Sequence, residues 1–335
     1  MAENSKIEWT DSSVNPIRAR NRKASKTGHF CIHVSPGCAN CYSERFQTRF
    51  GNPVRFAAQD ASKVGMFLDE AALLMPLRWR KPRRIFWNSM TDLFGDWVPD
   101  DWIDRHLAVM ALAPQHTFQI LTKRPERMRA YMTDPGVAQR VYDQVCDLAL
   151  TDARDITLVL IADPEHEPHA PPGRRIRLGV WPLPNVWLGV SVENQEWADR
   201  RRDDLAALAA AGWNTFVSYE PALGPIDWRG WEFLRWLISG GESGPKARPS
   251  HPDWHRAARD FCAAHGIPYF FKQWGSYAPA RTDGIGFVTD DDDGSVTPAI
   301  HVARCRMRGD FCMARVGKSR AGRLLDGREW NEVPK

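Results

Sequence analysis

The chain has 335 residues, with 45 Lys and Arg against 41 Asp and Glu, a formal charge of +4, 43% hydrophobic and 26% charged residues. That balance is globular and excludes an intrinsically disordered chain. No apolar run reaches the roughly 18–20 residues of a membrane helix, and the opening "MAENSKIEWTD" has no apolar signal core, so a cytoplasmic protein with no membrane partner is expected.

In chain order, the first predicted strand lies in "KIEWTDSSVNPI" (Lys6–Ile17). It runs into "RARNRKASK" (Arg18–Lys26), five basic residues in nine, which reads first as a solvated loop and second as a phosphate-facing one. Next comes "HFCIHVSPGCANCYSERF" (His29–Phe46), with Cys31, Cys38 and Cys41 in the spacing C-x6-C-x2-C before a predicted helix Tyr42–Phe50. In a reducing compartment, clustered thiols are metal ligands rather than disulfide partners. Pro36 and Gly37 permit a tight turn that lets Cys38 and Cys41 face one point. Two chemistries fit. One is zinc with His29 or His33 as fourth ligand, in a nucleic-acid-binding or nucleic-acid-processing protein. The other is a [4Fe-4S] cluster with one open iron.

From there apolar segments with polar ends alternate with helix-like stretches. The segments are Arg83–Asp92, His116–Glu126, Asn185–Asn194, Asn214–Leu223, Arg235–Gly244 and Ile267–Gly275. Predicted helices include "PDDWIDRHLAVMALA", "QEWADRRRDDLAALAAAG" with Gly212 as C-cap, and "HPDWHRAARDFCAAHG" between Pro252 and Gly266. This alternation implies parallel pairing: α/β class, a full or partial β/α (TIM-like) barrel, with a doubly wound sheet as the alternative. The barrel is assigned to residues 1–275 and a C-terminal extension to 276–335. The interval 128–184 reads as an irregular insertion, holding a short strand "ITLVLIA" and a polar loop with Asp163, Glu165, His166, Glu167 and His169. Cys305 and Cys312 in the extension read as unrelated thiols.

In a barrel, chemistry belongs to the C-terminal strand ends. Those ends carry Asn88, Ser89 and Asp92, then Thr122, Lys123 and Arg124, then Ser191, Glu193 and Asn194. Ser218 and Glu220 follow, then Gly240, Gly241 and Glu242, then Lys272 and Gln273. Lys123, Glu193 and Glu220 are candidate catalytic residues, and either glutamate could instead pair with an arginine to close the fold. Arg124, Lys272 and Gln273 are candidate substrate contacts, the cations favouring an anionic small molecule or nucleic acid. Trp87, Trp187 and Trp274 lie near strand tips, where a ring could stack on a base.

Across nearly its whole length the sequence resembles the phage-associated three-Cys-motif family, which is radical-SAM-like. The resemblance is carried by "IEWTDSSVNPI", "HVSPGCANCYSERF", "NSMTDLF", "FQILTKRPERM", "VWLGVSVENQ", "SYEPALGPID", "ISGGESGPKARPSHPDW", "FFKQWG" and "VGKSRAGRLLDGREWNEVP". It implies that Cys31, Cys38 and Cys41 bind a [4Fe-4S] cluster whose fourth iron chelates S-adenosylmethionine. It also implies an electron donor such as a flavodoxin or ferredoxin, and hydrogen abstraction from a nucleotide, nucleoside or nucleic-acid substrate. Asn88, Ser89, Glu193, Asn194, Gly240, Gly241 and Glu242 become cofactor-binding candidates. Two departures stand out. The usual spacing in radical SAM enzymes is C-x3-C-x2-C with an aromatic residue before the last cysteine, whereas Asn40 precedes Cys41 here. The glycine-glycine-glutamate element, which comes early in those enzymes, comes late here.

Overall fold

A computed structural model describes residues 4–49, 52–151, 181–282, 287–288, 306–308 and 311–334. The short strand expected at Ile156–Ala162, the loop Asp163–His169, Cys305 and the side chain of Cys312 lie outside the described residues.

The protein is α/β. Its main sheet has seven strands: β1 (Ser12–Val14), β2 (Arg84–Trp87), β3 (Thr117–Thr122), β4 (Val186–Ser191), β5 (Asn214–Tyr219), β6 (Trp236–Gly240) and β7 (Tyr269–Gln273). They neighbour one another in the order of the sequence, and the ladders resolved between them are parallel. A doubly wound sheet must reverse its strand order at a switch point. No reversal occurs among the described strands, so this is the partial β/α-barrel class rather than the doubly wound alternative. Every one of the six apolar segments supplies a strand, and "KIEWTDSSVNPI" supplies the first.

Helices follow the strands: α1 (Tyr42–Arg49), α2 (Asp100–Leu112), α3 (Pro125–Met132), α4 (Val137–Thr151), α5 (Gln195–Ala210) and α6 (Pro252–His265). Their ends obey local chemistry. Pro125 and Pro252 sit in first turns, where a missing N–H costs nothing. Gly266 closes α6 in the left-handed conformation at φ 65°, with its N–H bonded to the Cys262 carbonyl.

The chain divides into two compact units. One comprises residues 1–33, 43–190 and 204–215; the other comprises 34–42, 191–203 and 216–335. In the first unit β1, β2 and β3 bury Val14, Ile85, Trp87, Phe118 and Ile120. Trp87 stands edge-on to both His106 and Phe118, which makes it a core residue rather than a stacking platform. Burial holds the His106 pKa down at about 4, so the ring is neutral in this core. The same unit contains an element not foreseen from the sequence. Arg18–Lys26 is not a loop: Ile17–Asn21 pairs antiparallel with Thr27–Gly28 on one side and Val64–Leu68 on the other.

In the second unit, β6 is buried along its whole length. Trp274 packs edge-on against Phe271 and His255 and donates its indole N–H to the Leu324 carbonyl, so it too is core. Residues near the C-terminal end run beside β7. Phe271 N donates to Trp330 O at 2.9 Å, Tyr269 N donates to the Glu332 carboxylate at 3.0 Å, and Phe270 bridges Asn331 in the antiparallel sense.

Candidate functional site

In the first unit the segment bearing Cys31 is held by its neighbours' backbone. Thr91 Oγ1 donates to the Phe30 carbonyl, and Arg124 donates to the Ile32 carbonyl at 2.9 Å. Arg124 is itself fixed by Asp92. One Asp92 oxygen accepts from Arg124 Nη1 at 3.0 Å and Lys123 N at 3.1 Å; the other accepts from Thr122 Oγ1 at 2.7 Å and Phe94 N at 3.0 Å. The guanidinium also lies 4.7 Å above the Trp97 ring. Burial opposes its charge, but Asp92 and then Cys31 outweigh that and raise its pKa above the ordinary value. Arg124, a candidate substrate contact, thus also holds the Cys31 segment by its backbone.

At the tip of β2, Asn88 has φ +55° and is buried, and neither its amide nitrogen nor its amide oxygen has a hydrogen-bond partner among the described residues. Such a group is costly unless something meets it. Its neighbour Ser89 donates to Asn15 Oδ1 at 3.2 Å, which also accepts from Met90 N at 2.8 Å.

In the second unit the turn bearing Cys38 and Cys41 is held by two glutamates. Pro36–Cys38 forms a single 3₁₀ turn, and Cys41 N donates to the Cys38 carbonyl at 3.1 Å. Glu193, wholly buried after β4, accepts from Ser35 Oγ at 2.6 Å and from Arg201 at 3.1 Å. Gly37 is required here, because a Cβ would come within 2.8 Å of Glu193 Cγ. Glu242, after β6, accepts from Asn40 Nδ2 at 3.0 Å and from Arg248 through both oxygens, at 2.6 and 2.8 Å. Arg248 then donates to the Pro36 carbonyl at 2.9 Å. Asn40, at the position where an aromatic residue is usual, is a tether.

Packing explains Gly241 of "GGESG" and Gly275 after β7. A Cβ on Gly241 would overlap the Trp274 carbonyl, and one on Gly275 would overlap the Glu242 carbonyl. Gly240 is less constrained, with Lys272 Cβ at 3.4 Å. Asn194 caps α5, accepting from Trp197 N at 3.2 Å. Gln273 donates to the Gly241 carbonyl at 3.1 Å, and its buried amide oxygen has no partner among the described residues. Lys272 donates to both oxygens of Glu220, at 2.7 and 2.9 Å, in a pair that solvent still reaches. Ser35, Arg201 and Arg248 were not anticipated as site residues.

The sequence profile of a family described as "Protein of unknown function (DUF5131)" matches residues 4–334. The chain belongs to that family. No curated protein matches this member of the DUF5131 family. Among solved structures, a protein assigned as a sporulation-specific glycosylase, YdhD of Bacillus subtilis, aligns over 53% of this chain and 57% of its own at 11% identity, with a TM-score of 0.21. A likeness that slight carries no argument about this DUF5131 chain.

Among the described residues Cys31, Cys38 and Cys41 form no disulfide; Cys38 is buried and the others are half-buried. Among the described residues no three His, Cys, Asp or Glu side chains are gathered closely enough to hold one metal ion. The histidines weighed as zinc ligands are engaged elsewhere in the first unit. His29 Nδ1 lies 3.0 Å from the Ile17 carbonyl, and burial lowers its pKa to about 4; His33 Nε2 lies 3.2 Å from Glu44. A closed zinc site needs four ligands on one ion. An iron–sulfur cluster would instead take each thiolate on a different iron, with no histidine needed.

Proposed function

We propose that this chain is a radical SAM-type enzyme in which Cys31, Cys38 and Cys41 carry a [4Fe-4S] cluster. The observation that supports this best is the tethering of the Cys38–Cys41 turn to strand-end carboxylates, Glu193 and Glu242, in a partial β/α barrel. Strand ends are where such folds keep their chemistry, and a turn of no function would not need two buried glutamates. When bound, the cluster supplies the electron that cleaves S-adenosylmethionine and so opens the way to hydrogen abstraction from substrate.

The chain's own residues do the rest. Glu193 and Glu242 orient the cysteine turn through Ser35, Asn40 and Arg248, so both are positioning residues and neither carboxylate is left to act as a base. Arg124 and Thr91 orient Cys31 through flanking carbonyls. Asn88 offers one buried donor pair and one buried acceptor to the polar amino-acid or ribose groups of S-adenosylmethionine. Gln273 Oε1 offers a second acceptor. Lys272 is the strand-end cation that an anionic substrate can reach, competing with Glu220, which is then free to accept a proton. The electron enters from an external donor of the flavodoxin or ferredoxin kind.

The test is anaerobic reconstitution with iron and sulfide. The protein is expected to turn brown, with broad absorbance near roughly 400 nm, and to yield 5′-deoxyadenosine from S-adenosylmethionine under reduction. Cys38→Ala should lose both while keeping its circular dichroism. Colourless protein carrying one stoichiometric zinc would overturn the proposal.

A further inference from the structure

The hairpin at Arg18–Lys26 takes no part in holding the cysteines, yet it is built with care. Ile17, Ala19 and Asn21 alternate inward and are buried, while Arg20 and Arg22 point outward and are exposed. The turn beyond them is pinned by one buried side chain. Asn21 Oδ1 accepts from Lys23 N at 2.9 Å and Ala24 N at 3.1 Å, and Asn21 Nδ2 donates to Asn52 Oδ1 at 3.1 Å. Asn21 N donates to the Lys26 carbonyl at 2.8 Å, closing the turn. Lys23, Ala24, Ser25, Lys26 and Thr27 are all exposed on this fixed tip.

Residues 17–28 contain five basic side chains and no acidic one. The acids that flank the paired strand Val64–Leu68 are each met by another cation: Asp69 by Arg18 at 3.4 Å, Glu70 by Arg105 at 2.9 Å, and Asp60 by Lys63 at 2.6 Å. Among the described residues, Arg20, Arg22, Lys23 and Lys26 make no salt bridge. Exposed cations on a flexible loop are common and mean little. Four on a turn pinned by Asn21 at the edge of a three-stranded sheet, with the neighbouring acids neutralised, form a preorganised anion surface.

We propose that this hairpin binds the phosphate backbone of a nucleic-acid duplex, without sequence preference. A duplex carries one negative charge per roughly 1.7 Å of its axis, the densest phosphate target for four cations gathered on one turn. The exposed positions are Arg, Lys, Ala, Ser and Thr, suited to phosphates rather than to an adenine or cytosine edge. A single strand would be bound by stacking on exposed rings. Phe67, on the adjoining strand Val64–Leu68, lies under the Arg20 guanidinium at 5.6 Å. This inference stands apart from the cofactor reading, since no residue of the hairpin touches the cysteine segments' tethers described above.

The experiment is fluorescence anisotropy of the full chain with a labelled 20-base-pair mixed-sequence DNA duplex and with either of its single strands. Four phosphate contacts predict that affinity falls about 100-fold between 50 and 200 mM salt. Replacing Arg20, Arg22, Lys23 and Lys26 by Gln should abolish that dependence, and Arg20→Gln alone should lower the log–log salt slope by about 1. Melting by circular dichroism checks that both variants fold. Cys38→Ala should bind the duplex as the parent does, which separates failure here from failure of the cluster. The inference is overturned by no binding at 50 mM salt, by an unchanged slope in the fourfold variant, or by tighter binding of the single strand.

Discussion

The two units hold their cysteines by opposite means. Around Cys31 the grip is on backbone carbonyls, by Thr91 and by an arginine that Asp92 steadies. Around Cys38 and Cys41 the grip is by carboxylates, which take the Ser35 and Asn40 side chains directly and recruit Arg201 and Arg248 as counter-charges. The first arrangement can give at the arginine, whose side chain keeps 12% exposure and further contacts to Ile32 and Trp97. The Glu193–Arg201 half of the second cannot, because those side chains are 0% and 1% exposed, whereas Arg248 beside Glu242 keeps 28%.

The sharpest way to break this comparison is to remove one acid from each side. Glu193→Ala strands the Arg201 charge in the interior and is expected to cost about 3–5 kcal/mol in urea unfolding. Asp92→Ala should cost less, about 2–3 kcal/mol, because Arg124 retains partners and some water. Equal losses would show that the two grips do not differ in kind. Gly37→Ala tests the closeness of the carboxylate to the turn. Its Cβ must displace Glu193, at a cost of about 1–3 kcal/mol, and Glu193→Ala should suppress that cost in the double variant.

The smallest effect near neutral pH concerns the first unit's core. The His106 pKa is lowered by burial to about 4 against an unfolded value near 6.5. Because the folded value is depressed, the unfolded chain takes up the proton first as pH falls. Stability from this site is therefore full above pH 6.5 and is lost on acidification towards pH 4, by at most about 1.4 kcal/mol per pH unit. His106→Gln should reduce the dependence of the urea midpoint on pH across that window by one histidine's share, since burial also lowers the pKa of His29 to about 4 and of His255 to about 3. An unchanged profile would show that the ring is not the acid-sensitive group.

Much of the fold was legible in the sequence because buried parallel strands announce themselves twice, by apolar β-branched and aromatic runs and by abrupt polar ends. The Arg18–Lys26 hairpin escaped because its inward residues, Ala19 and Asn21, are small or polar, so alternation was masked by charge. The cysteine spacing was plain, but its tethers were not. Arg201 lies in the run "RRR", which reads as a solvated face. Yet Ala198, Arg201, Leu205 and Leu208 share one helical stripe and are all buried, so an arginine standing in an apolar position was the available signal. Glu242 and Gly241 were noticed for a cofactor role, whereas the Gly241–Trp274 and Gly275–Glu242 approaches depend on two segments distant in the sequence.

The antiparallel run of Arg328–Glu332 beside β7 has a consequence for handling the protein. The amides of Tyr269 and Phe271 are answered from within the chain, so this edge is closed to a foreign strand. An edge released from such a partner becomes a template for intermolecular pairing. Fusions or substitutions that loosen Trp330 would thus turn an internal seam into an adhesive one, and strand exchange between copies would appear before any loss of the core.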